Sequence, residues 1–119
     1  MLKKSELNKM IQIAQGLNWT IKEYEDYYFI QKYSPANQDF FIEIDKEWIK
    51  NIHDFIAELN DRYESFDISE ETYLWLDETG HGKNGAPYDM RDLYNDMEAC
   101  EDMLRYLVET LETEFKISN

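Results

Sequence analysis

Cysteine is almost missing from this sequence. Cys100 is the only one, which excludes an intramolecular disulfide and a zinc site built on several cysteines. Proline occurs twice and glycine four times, so the chain has few natural breaks, and Gly80, Gly82, Gly85 and Pro87 concentrate in one stretch. Positive charge is the third shortage: 12 Lys and Arg stand against 26 Asp and Glu, a formal net charge of −14. Gripping a phosphate backbone needs a cationic footprint, so direct nucleic-acid binding is excluded as the default role, and attraction to an anionic membrane is disfavoured. No apolar run approaches the ~18 residues of a membrane span. Met1-Leu2-Lys3-Lys4 leads into no apolar signal-peptide core. The expectation is a soluble, acidic, cytoplasmic protein.

What is present is a globular composition. Hydrophobic residues make up 43% and aromatics 15% of 119 residues, too apolar for a disordered chain and enough for one core, so residues 1–119 read as a single domain. Residues 5–16 carry Leu7, Met10, Ile11 and Ala14 on one helical face, with Ser5 as the expected N-cap and Gly16 as the stop. The period then changes to two. Trp19 and Ile21, then Tyr27, Phe29 and Tyr33, then Phe40, Ile42 and Ile44 alternate with their neighbours, which predicts three strands in an antiparallel meander turned at Glu25-Asp26 and at Ser34–Asp39. Asp45 is the expected cap of a helix over 46–63 that turns Trp48, Ile52, Phe55, Ile56, Leu59 and Tyr63 to the sheet. Thr72, Leu74 and Leu76 alternate with Tyr73, Trp75 and Asp77, which predicts a fourth strand over 71–77. Residues 79–88 read as a flexible loop. Asp89 caps a long last helix, 90–114, with an apolar stripe of Met90, Leu93, Met97, Cys100, Leu104, Leu107, Val108, Leu111 and Phe115. The expected order is α-β-β-β-α-β-α, an α+β domain with helices on an antiparallel sheet of about four strands.

Chemical motifs are few. His53, His81 and Cys100 show no zinc-ligand spacing, and no stretch matches a calcium loop, so no metal or cofactor is expected. Gly80-His81-Gly82-Lys83-Asn84-Gly85 has the glycines and lysine of a phosphate cradle but Asn84 where a hydroxyl is required. It reads as an exposed loop in which Lys83 is a minor contact candidate. Cys100 lies on the apolar stripe, and its acidic neighbours Glu98, Glu101 and Asp102 should raise the thiol pKa, the opposite of what a nucleophile needs.

The acids are not evenly spread. Residues 1–50 hold eight acids and seven bases, whereas residues 51–119 hold 18 acids and five bases. On the second helix Glu47, Asp54, Glu58 and Asp61 form a stripe. On the last helix Glu98, Glu101, Asp102, Glu109 and Glu112 share a flank with Arg105, while Asp92, Asp96 and Glu114 edge the other. Asp54/Glu58, Asp92/Asp96 and Glu98/Asp102 are like charges at i, i+4, which cost a few tenths of a kcal/mol each. Carboxylates one turn, ~5.4 Å, apart approximate a row of phosphates. Tyr106, opposite Leu104 on the helix, should be exposed and add apolar contact beside charge. Asp54, Glu58, Asp61, Asp92, Asp96, Glu98, Glu101, Asp102, Tyr106 and Glu109, with Lys83, are the candidate partner-binding residues.

The acidic Asp54–Asp61 stripe, the Asp89–Glu114 helix and the Tyr27–Ile44 meander with its Ser34-Pro35-Ala36 turn resemble the small acidic nucleic-acid mimics of phages and mobile elements, the anti-restriction and anti-CRISPR inhibitors. The likeness is one of charge and size. It implies a non-enzymatic inhibitor, monomer or homodimer, that occupies the nucleic-acid-binding cleft of a host defence nuclease, such as Cas9, in the bacterial cytoplasm. Two other readings stay open from the residues: a self-associating interaction module, and a small enzyme working through carboxylates.

Overall fold

The computed structural model describes residues 2–117; Met1, Ser118 and Asn119, which the single-domain and no-leader readings include, lie outside the described residues. The order is α1 (Lys4–Gly16), β1 (Thr20–Glu23), β2 (Tyr27–Tyr33), β3 (Asp39–Asp45), a 3-10 turn (Lys46–Trp48), α2 (Ile52–Glu64), α3 (Ile68–Leu74) and α4 (Met90–Glu114). The fold is α+β, with a three-stranded antiparallel sheet ordered β1-β2-β3. No described helix is long and apolar enough to cross a membrane.

The meander follows its alternation. Register pairs Ile21 with Ile30 and Ile30 with Ile42, and Tyr28 with Ile44, so one face of the sheet is buried. Against that face lie Leu7, Met10 and Ala14 from α1, Ile52, Phe55, Ile56 and Leu59 from α2, and Leu104, Leu107, Val108 and Leu111 from α4, all in one hydrophobic cluster. The aromatic contact between Tyr28 and Phe55, edge to face at 5.2 Å, ties the central strand to α2. The other face of the sheet carries Phe29 stacked on Phe41 and Tyr24 stacked on Tyr27, with Tyr24, Tyr33 and Phe41 exposed.

Several expectations are corrected. The stretch 71–77 is not a strand: its first residues belong to α3, and only an isolated bridge, Leu76 to Gly82, is strand-like there. Asp67 starts that helix, its side chain accepting from the Glu70 N–H at 3.1 Å, and Ile68, Thr72 and Trp75 recur at helical spacing. The order is therefore α-β-β-β-α-α-α. The second helix starts later than expected. Asp45 precedes only the 3-10 turn, and Asn51 is the true cap, its side chain accepting from the Asp54 N–H. Trp48 consequently sits before the helix and is 66% exposed, not in the core. Met90, in the first turn of α4, is exposed as well, and Lys3, not Ser5, stands at the N-cap of α1.

The 79–88 segment, expected to be a flexible loop, is closed by bonds within itself and to Trp75 and Asp77. Asp77 N–H donates to His81 O, Gly82 N–H to Tyr88 O and Lys83 N–H to Trp75 O, while the His81 and Tyr88 rings stack at 4.1 Å. Gly82 is required by close approach, since a Cβ there would collide with the Pro87 carbonyl.

Candidate functional site

The eleven candidate residues divide by what each already does. Asp96 is the clear correction. It belongs to the inner side of α4, three residues after Leu93 and four before Cys100, and is 4% exposed. Its Oδ2 accepts from Ser34 Oγ at 2.6 Å and Gln38 Nε2 at 2.7 Å, and its Oδ1 accepts from the Ala36 N–H at 2.9 Å. It fastens the β2–β3 turn to α4 and is closed to any partner. Asp54 is also engaged locally, its Oδ2 accepting from the Lys50 N–H while Asn51 caps its own amide. Such reciprocal capping consumes charge at a helix start that would otherwise be free. Glu58 pairs with Arg62 at 3.5 Å.

On α4 the outer ridge holds Glu98, Asp102 and Glu109, opposite the buried Leu93, Leu104 and Leu111. Arg105 sits within it, 3.2 Å from Asp102 and 3.9 Å from Glu109. These carboxylates raise the guanidinium pKa, through the Asp102 hydrogen bond first. Asp61, Asp92 and Glu98 are exposed, and Glu101 is half-buried; no hydrogen bond or ion pair engages any of these four side chains among the described residues. Tyr106 is 61% exposed, and Lys83 is exposed on the closed loop.

Two features escaped the sequence reading. The first is a groove of about 320 Å³ between the outer edge of β3 and the helices, lined by Phe40, Phe41, Arg62, Phe66, Glu71 and Trp75 among others, with Cys100 at its base. Burial, then the charges of Glu70 and Asp67, raise the Glu71 carboxyl above the usual carboxylate range. Burial pushes the Cys100 thiol up to about 12, with Asp96 and Glu71 adding to it, so the expected direction holds although different carboxylates act. A strand over 71–77 would set Glu71 and Trp75 on the face opposite Thr72, Leu74 and Leu76, whereas α3 and the turn after it bring both to the groove. The second is an apolar patch where α3 meets the start of α4: Tyr73, Leu74, Tyr88, Met90 and Tyr94 are all exposed. Tyr73, Leu76, Met90 and Tyr94 line a shallow depression there of about 440 Å³.

Among the described residues no group of three or more His, Cys, Asp or Glu side chains is arranged to hold a metal ion. No protein-family model, curated protein or solved structure matches this chain.

Proposed function

We propose that this protein is a non-enzymatic inhibitor that lays the acidic ridge of α4 into the basic nucleic-acid-binding groove of another protein, a host defence nuclease of the Cas9 or restriction type. The observation that carries this reading is the exposed carboxylate row Glu98, Asp102 and Glu109, with Asp92 exposed on the adjoining flank and Arg105 set within the ridge. A helix surface selected for stability alone mixes its signs, whereas one selected to meet a cationic groove tolerates the repulsion and gains fast, salt-sensitive association.

The test is charge reversal at Asp92 and Glu98 together, both exposed and, among the described residues, without a hydrogen-bond or ion-pair partner. The double variant D92K/E98K should stay folded and melt close to the parent, since relief of like-charge repulsion offsets the loss of a carboxylate from the first turn of α4. It should also lose binding to the nuclease, and DNA should compete with the parent protein for that nuclease. Unaltered binding by the variant, or a failure of DNA to compete, overturns the reading.

A second reading has its own observation. The apolar patch of Tyr73, Leu74, Tyr88, Met90 and Tyr94 is the kind of surface through which a module self-associates. Sedimentation at low and high salt separates the two, because association through that patch persists when charge is screened.

A further inference from the structure

The outer edge of β3 is an unused row of main-chain donors and acceptors. Ser34 N–H donates to Gln38 O and Lys46 N–H to Asp26 O. Given the register of β2 and β3, the alternation of antiparallel pairing then bonds Phe40, Ile42 and Ile44 to β2 and turns the amides of Asp39, Phe41 and Glu43 outward. Arg62 corroborates this phase, since its Nη2 donates to the outward Glu43 carbonyl at 3.0 Å. The Phe41 N–H and C=O have no partner among the described residues. The opposite edge, β1, is only four residues long, which is one way that sheets blunt an edge. β3 is seven residues long, and the groove runs beside it.

We propose that this edge and groove receive an extended, basic peptide segment of a partner protein, which adds to the sheet as a fourth strand against Asp39–Glu43. Main-chain bonds to Phe41 would supply affinity, and side chains at alternate positions would supply selectivity. Charge decides the occupant. On the outer face of β3, Asp39 and Glu43 flank Phe41 two residues on either side, so the residues across from them in an added strand must be cationic. A second copy of this chain is disfavoured for the same reason, because antiparallel self-pairing centred on Phe41 sets Asp39 opposite Glu43 of the copy. The intervening side chains of the added strand enter the groove beside Phe66 and Trp75, with the unpaired, half-buried Glu71 as a further negative group. Arg62 guards one end of the edge and would be displaced from the Glu43 carbonyl by a longer strand. This inference does not rest on the α4 ridge, which is a different surface.

The probe is a blocked synthetic peptide, Thr-Lys-Leu-Val-Leu-Lys-Thr, whose lysines fall opposite Asp39 and Glu43 when its valine faces Phe41. Controls are the same peptide with both lysines replaced by glutamate, and one carrying an N-methyl group on the valine. Amide hydrogen exchange read by NMR should show the Phe41 amide slowed about tenfold or more by the lysine peptide. The amides of Asp92 and Glu98 should keep their rates, and neither control should protect Phe41. Phe41→Pro, which deletes the outward N–H together with the ring stacked on Phe29, should abolish binding, whereas Phe41→Ala, which keeps the N–H, should weaken it less. The parent protein with the N-methylated peptide makes the same test should that variant not fold. An unprotected Phe41 amide, or equal protection by either control, overturns the proposal, and the D92K/E98K variant should still bind the lysine peptide.

Discussion

A carboxylate on this surface can be a cap, a clasp or a free charge, and only its surroundings decide which. Asp96 accepts three hydrogen bonds from a turn about 60 residues earlier in the chain, so removing it leaves the Ser34 hydroxyl, the Ala36 amide and the Gln38 side chain without their acceptor. Asp96→Ala should cost on the order of 3 kcal/mol in urea denaturation, because orphaned buried donors lose their solvation without compensation. Asp92→Ala, four residues away and exposed, should shift stability by less than about 0.5 kcal/mol. The roles of these two residues were only partly legible in sequence. Asp96 falls at i+3 from Leu93, a spacing that belongs to the buried stripe, but the acid itself argued for the flank. The turn Ser34-Pro35-Ala36, read only as a reversal, was the other half of the signal, since its donors need an acceptor somewhere in the fold.

At the scale of elements, long periodic segments were read well and short ones were not. α4 gives seven turns of evidence for one phase, and the meander gives three strands whose alternations agree in register. In the seven residues of α3, by contrast, periods of 2 and 3.6 both find matches, and Thr72, Leu74 and Leu76 satisfied the wrong one. The Asp67–Glu70 spacing at its start was the usable clue. Two leucines, one on α4 and one on α3, test the assignment. Leu104 is 1% exposed and Leu74 58%, so Leu104→Ala should cost about 2–5 kcal/mol while Leu74→Ala stays near neutral. The groove was illegible for the same reason as α3, because its wall depends on that helix and on which β3 amides face outward.

Across the whole molecule the net charge of −14 sets how stability responds to pH. Glu71 and Glu112 are raised above the usual carboxylate range. Burial is the first cause in both, followed by Glu70 and Asp67 for Glu71 and by Glu109 for Glu112. A raised carboxyl keeps its proton to a higher pH in the folded chain than in the unfolded one, so stability falls as pH rises through the window just above the ordinary carboxylate range. Acidification from about pH 7.5 to about pH 5 should therefore raise Tm, with relief of self-repulsion acting in the same direction. Glu71→Gln should flatten that rise. Asp77 acts oppositely. Hydrogen bonds from the Thr79 side chain and from the backbone amides of His81 and Thr79 lower its pKa, so the contribution of that turn is lost only at more acid pH. A Tm that falls steadily from pH 7.5 downward would contradict this account.

The position of α4 has a further consequence, for the order of events in folding. The three strands lie within the first 45 residues, yet the wall that buries their inner face includes Leu104, Leu107 and Leu111, and the turn between β2 and β3 waits for Asp96. The hairpin is thus local in sequence while its stabilisation is not. Closing a segment of that length must be completed before the contacts that reward it exist. Sheet and last helix should consequently form in one concerted step, with far-ultraviolet ellipticity and tryptophan emission changing together.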